Sequence, residues 1–290
     1  MARSPMVPFW LVALVAVIVT GAPAHAQQQD YREQLGALAW QVGPTNGALG
    51  TIASIPVPSG YRFLGRGEAG KFLELNENPT DGSELGLLLK DDGAFFVIFK
   101  FSADGYVKDD DRELDADAIL ESIKKGTAQS NEVRRQRGWG TVDVVGWHQT
   151  PFYDPQTNHL TWAVRARSDS GESINHSTRL LGRSGVMKVN LVLSPEDVGT
   201  AVPAFNQLLT SFSYNPGQRY AEFTRGDKVA EYGLTGLIVG GAGVALLKTG
   251  LLQKFWKVIV LAFIALAGAI KRFLGGLGRR RESIEQPADV

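Results

Sequence analysis

The sequence predicts an α+β fold: an antiparallel sheet flanked by helices in an α/β/α sandwich, plus a C-terminal transmembrane helix or helical hairpin. Three observations predict it. Apolar and polar residues alternate along residues 160–167 (LTWAVRAR) and 186–193 (VMKVNLVL), and a period of two marks half-buried strands. Turn signals separate these stretches, and helical periodicity stands before, between and after them. Two blocks nearly free of charge occupy the ends of the 290-residue chain, around a mixed, soluble middle.

The first block, residues 1–26, reads as a cleaved signal peptide. Arg3 supplies a basic start, residues 9–19 (FWLVALVAVIV) an apolar core, and Ala24-His25-Ala26 a small–x–small cleavage site. The apolar run is shorter than the roughly 20 residues that a membrane span needs.

Residues 27–219 read as one α+β domain. A short amphipathic helix is expected over 30–40, one strand over 49–57, another over 61–64 and a helix over 68–76, stopped by Asn78-Pro79. Residues 84–90 and 94–101 flank Asp91-Asp92-Gly93, a hairpin signal. The second of these strands is apolar on both faces, with Phe95, Val97, Phe99 and Phe101 on one and Ala94, Phe96 and Ile98 on the other. Such a strand belongs in the middle of a sheet covered on both sides. A helix over 114–136 follows, with Asp115 as N-cap and Gly126 as a point where it can break. Strands over 142–148, 160–167, 172–183 and 186–193 come next, then a helix over 197–213 that turns Val202, Phe205, Leu208, Leu209 and Phe212 inward.

Residues 220–231 read as a linker and 232–274 as a membrane anchor of one or two helices. Its two apolar runs, 232–247 (YGLTGLIVGGAGVALL) and 251–270 (LLQKFWKVIVLAFIALAGAI), are split by Lys248-Thr249-Gly250. Gly236, Gly240 and Gly243 form a small-residue face suited to close helix contact. Two helices would return the tail to the outside, against the positive-inside tendency; one would leave Lys271, Arg272 and Arg279, Arg280 and Arg281 in the cytoplasm. Residues 275–290 read as a basic disordered tail.

Composition excludes some chemistry. There is no cysteine, hence no disulfide, thiolate metal site or thiol nucleophile. The formal charge is zero, with 30 basic and 30 acidic residues. One basic residue lies in 1–26, and eight basic and three acidic residues lie from Tyr232 onward, which leaves 21 basic against 27 acidic residues between. An acidic domain does not neutralise phosphates, so nucleic acid is not an expected partner.

Candidate site residues gather in residues 146–183. His148, Tyr153, Asp154, Asn175, Arg179 and Arg183 form the candidate contact surface, and parity leaves the residues other than Tyr153 exposed while turning Trp162 inward. A hydrolytic alternative uses Asp154 with His148 or His159, which face each other across a turn. A weak calcium alternative uses Asp109, Asp111 and Asp115; the sixth position from Asp109 is Leu114, where a calcium loop has glycine. Asp154 in Tyr153-Asp154-Pro155 also reads as a turn residue, and Asp115 as a cap. No cofactor motif is present.

Several motifs carry a resemblance. Gly60-Tyr61, Gly105-Tyr106-Val107-Lys108-Asp109-Asp110, Gly146-Trp147, Pro151-x-Tyr153-Asp154-x-x-Thr157, Leu160-x-Trp162-Ala163 and Arg179-x-Leu181-Gly182-Arg183-x-Gly185-Val186 resemble the signature of bacterial membrane-anchored proteins termed domain of unknown function 2167. The similarity runs from about Trp40 into the C-terminal apolar block. It implies no catalytic residue and no cofactor. A weaker, fold-level similarity is to Mog1/PsbP-like sandwiches, which are mostly binding or assembly modules. The expectation is a non-enzymatic protein of a bacterial inner membrane. Its domain would face the periplasm or exterior, and its partners would be the lipid bilayer and an envelope protein.

Overall fold

The structure, a computed structural model, describes residues 24–240. Helix α1 (Ala24–Gly36) precedes four short strands, β1 (Gln41–Val42), β2 (Thr45–Leu49), β3 (Ala53–Val57) and β4 (Tyr61–Gly65). The single strand expected over 49–57 is instead part of a β2–β3 hairpin. Gly50 turns the chain at φ 59°, a left-handed conformation that glycine adopts without a Cβ clash. Helix α2 (Glu68–Leu75) and the hairpin of β5 (Glu84–Lys90) and β6 (Phe95–Ser102) follow as expected.

Helix α3 (Ala116–Gln136) runs unbroken through Gly126. Its N-cap is Asp115, whose carboxylate accepts from the Ala118 N–H at 3.0 Å. Next come β7 (Asp143–Asp154), β8 (His159–Ser168), β9 (Gly171–Leu181) and β10 (Val186–Leu193), then α4 (Val198–Thr210), β11 (Ser213–Tyr214) and α5 (Leu234–Val239). Strand β7 extends past the expected end at His148 and passes through Pro151. It lies at one edge of the sheet, where a missing N–H breaks no ladder.

Eight strands form one antiparallel sheet in the order β1-β4-β5-β6-β10-β9-β8-β7. Strand β6 is interior, as its two apolar faces require. On the first face, Phe95, Val97 and Phe99 of β6 and Met187, Val189, Leu191 and Leu193 of β10 are buried with Ala201, Phe205, Leu208 and Leu209 of α4. The small sheet β11-β3-β2 closes the same core through Leu49, Ile55 and Val57. Phe72 and Leu73 of α2 cover Phe96, Ile98 and Val192 on the second face. Further along that face α3 packs against β7, and α5 against α3.

Among the described residues no helix is long and apolar enough to cross a membrane. The expected leader up to residue 23, most of the expected anchor and the basic tail lie outside the described residues.

Candidate functional site

The second face of the sheet carries a buried polar row. Cross-strand register aligns Arg179 of β9 with Lys188 of β10, Lys188 with Lys100 of β6, and Lys100 with Glu84 of β5. Three cations and one carboxylate therefore share one line across four strands. Like charges directly opposite one another destabilise a sheet, so the partners of each decide whether the row is tolerated.

At one end the charge is matched. The Lys100 ammonium lies 2.7 Å from Glu84 and 3.5 Å from Asp81. At the other end Arg179 is 3 % exposed. Its Nη1 donates to neutral acceptors, the Thr178 carbonyl at 3.3 Å and Asn190 Oδ1 at 3.1 Å. Its guanidinium stands 4.5 Å over the Trp162 ring, a cation–π contact. Burial pulls Arg179 down to about 9. Lys188 falls to about 8, first through burial and then through the facing Arg179.

A strap runs along this end of the row. Residues 218–234 read from the sequence mostly as a linker, yet they pack against the domain. Arg183 N–H donates to the Gln218 carbonyl at 2.9 Å, and the Arg183 guanidinium grips Asp227 with two hydrogen bonds of 2.7 and 2.9 Å. That pair holds the Asp227 carboxyl well below the usual carboxylate range. Tyr106 stacks on Tyr220 at 4.4 Å, and its backbone exchanges hydrogen bonds with Lys228 and Ala230. Gly105, at φ 102°, permits this approach: a Cβ there would lie 2.6 Å from the Lys228 carbonyl oxygen.

Further on, Tyr232 donates to Asp104, and Asp104 also accepts from Ser102. Burial, then the Asp104 contact, pushes the Tyr232 phenol up. Asp111 Oδ1 accepts from the Leu234 N–H at 2.7 Å, at the start of α5. Leu234, Leu237 and Ile238 of α5 are buried. Thus the first residues of the apolar run 232–247 are part of the folded domain.

The candidate residues named from the sequence do not form one surface. His148 is exposed on β7. Asn175 and Arg179 are each 3 % exposed, which corrects their expected exposure: they share the face of Trp162, not the opposite one, and helix and strap cover that face. Arg183 is engaged by Asp227, as described. Tyr153 donates to Asn158 Oδ1 at 3.3 Å, with the Arg112 guanidinium 5.6 Å from its ring centre.

The expected approach of His148 to His159 is not formed: His148 lies between the pairs Trp147–Val164 and Gln149–Ala163, and it is Asp154 that faces His159 across β7 and β8. However, Asp154 accepts from the Gln156 N–H at 2.9 Å and the Thr157 hydroxyl at 2.8 Å, so both its oxygens serve the turn. Burial lowers the His159 pKa, against the pull of Asp154.

The three calcium candidates diverge. Asp109 pairs with Arg112 at 2.8 Å, Asp111 caps α5 and Asp115 caps α3. Among the described residues no three His, Cys, Asp or Glu side chains come together as a metal site. Sequence reasoning missed the row itself. Its signal was Lys100, a lone charge inside a strand that is apolar on both faces.

Comparison with known proteins places the chain. Residues 41–271 match the family described as protein of unknown function DUF2167, and the chain belongs to that family. No curated protein matches it. Among solved structures it is similar to cyanobacterial PsbP (CyanoP) from Synechocystis sp. PCC 6803, at 10% identity over 62% of this chain and 95% of that one, with a TM-score of 0.38. It is also similar to a protein of Bacteroides thetaiotaomicron VPI-5482, at 8% identity over 61% of this chain and 48% of that one, with a TM-score of 0.28.

Proposed function

We propose that this DUF2167 chain is a membrane-anchored envelope protein whose α+β domain serves, outside the cytoplasmic membrane, as a binding or assembly module rather than an enzyme. The observation that carries the reading is the strap. It fastens residues 218–239 to the domain, so the chain leaves toward its most apolar segment from a fixed point.

The strap also favours one span over two. Tyr232 and α5 are used by the domain, which shortens the first apolar run. Residues 251–270 remain, 20 in number, about the length that crosses a bilayer. One span puts Lys271, Arg272 and the Arg279–Arg281 cluster on the cytoplasmic side, as the positive-inside tendency favours. Asp154, Asp109, Asp111 and Asp115 each have a turn, pair or cap to serve. An envelope protein partner suits the exposed surface better than a reaction built on those carboxylates.

Membrane fractionation tests the reading. The full-length chain is expected to stay with membranes through alkaline carbonate extraction, and a chain ending before residue 251 to be released. Extraction of the full-length chain would overturn the anchor. A C-terminal epitope cleaved by protease added outside intact spheroplasts would overturn the single span.

A further inference from the structure

Two buried N–H groups on the second face of the sheet stand without an acceptor. Nε of Arg179 and Nε1 of Trp162 have no hydrogen-bond partner among the described residues. Both side chains are buried, Trp162 at 0 % exposure and Arg179 at 3 %. They lie together, since the guanidinium carbon is 4.5 Å from the ring centre. The stack offsets part of the cation's desolvation. It does not satisfy the indole N–H, which points out along the ring plane, and it leaves Arg179 Nε without an acceptor.

Buried polar groups are nearly always paired, and an orphan donor calls for an acceptor. Here there are two orphans, and the arginine that owns one of them bonds neutral acceptors. A second cation, Lys188, faces Arg179 directly across β9 and β10. Glu84 is held by Lys100, and Asp104 and Asp81 act electrostatically on Lys188; the hydrogen-bond acceptors of Arg179 include no carboxylate.

We propose that Arg179, Trp162 and Lys188 form a binding site for a phosphate-class oxyanion. The guanidinium fork matches such an oxyanion in shape and charge. The indole Nε1 is a donor only, and needs an acceptor of this kind. Lys188 adds a point charge from the neighbouring strand. Burial lowers both cations, Arg179 to about 9 and Lys188 to about 8, and a bound anion would reverse that. Tyr232 of the strap lies close enough to influence Arg179 electrostatically. The site therefore adjoins the segment that leads to the apolar block, and the oxyanion has two possible sources: free phosphate or the phosphodiester of an anionic lipid.

Thermal unfolding of the full-length chain in a neutral detergent, in chloride buffer, tests this. One arm adds inorganic phosphate; the other adds phosphatidylglycerol to the micelles. In one arm Tm is expected to rise by roughly 5–10 °C at a hundredfold excess over half-saturation. The arm that responds identifies the source, and the phosphate arm is independent of membrane anchoring. Arg179→Gln is expected to abolish the rise. Lys188→Gln, at a less buried position, is expected to raise the half-saturating concentration about tenfold, the loss of one charge-assisted contact. It carries the test if Arg179→Gln does not fold. A flat Tm in both arms overturns the site, as does a wild-type response from the variants.

Discussion

The two faces of the eight-stranded sheet differ in what they bury. The first face is a continuous apolar core of Phe, Val, Leu and Met side chains sealed by α4 and the small sheet. The second is apolar under α2 and turns polar toward α3 and the strap, where Arg179, Lys188, Lys100, Asn190, Asn175 and Ser177 lie. An apolar face gains stability in proportion to area and tolerates exchanges of similar volume. A buried polar face depends on each partner, because an unmatched group costs more than a matched one contributes. Stability is thus expected to reside on the first face, and specificity on the second.

The comparison can be broken at its strongest point first. Phe205, fully buried against the first face and in edge-to-face contact with His176 at 5.4 Å, is expected to lose about 3–5 kcal/mol on truncation to Ala. Urea unfolding would show the midpoint fall. A loss under about 1 kcal/mol would mean that α4 is not part of the cooperative core.

On the second face, Glu84→Gln leaves Lys100 without its nearest carboxylate, at an expected cost of about 3 kcal/mol. The double variant Glu84→Leu with Lys100→Met is expected to recover most of that. Non-recovery would show that the row contributes through more than the pair.

A third test uses the polar group set into the apolar face. Burial, with a smaller push from His148, lowers His176 to about 4. Its ordinary value is 6.5, so between these values the unfolded chain binds a proton that the folded chain does not. Stability from this group is therefore complete above pH 6.5 and declines as pH falls toward 4. The integrated loss is about 3 kcal/mol, the same order as the Glu84 effect. His176→Phe is expected to flatten the unfolding free energy across that window; an unchanged slope would assign it to other groups.

Parity explains which parts were legible from the sequence. Alternation in β10 and the double-faced β6 predicted their burial, and Asp115 predicted the start of α3. The family resemblance was also legible, because its motifs are local runs of residues. Parity correctly placed Asn175, Arg179 and Trp162 on faces of their strands, but not relative to one another. That relation depends on register between β8 and β9, where Trp162 opposes Ser177 and Arg179 opposes Leu160. A reading that sends charge outward by default then assigns Arg179 to solvent.

The strap was illegible for a related reason. Residues 218–231 carry no periodicity, and their contacts reach back to Tyr106, Asp109 and Arg183, about 40 to 110 positions earlier. Gly105 stands in a family motif and Gly233 in an apolar run. Their purpose appears only when Lys228 and Asp111 are seen against them.

By itself the sequence determined the antiparallel α+β class, the order of the main elements from α2 to α4, the apolar face and the family. These follow from local patterns whose periods match the pitch of the backbone. Only the tertiary structure decided which charges are buried, and that the chain stays fastened to the domain up to α5. Burial of a charge depends on what lies over it, and here the strap that reaches Arg179 through Tyr232 is distant in sequence from β9 and β10.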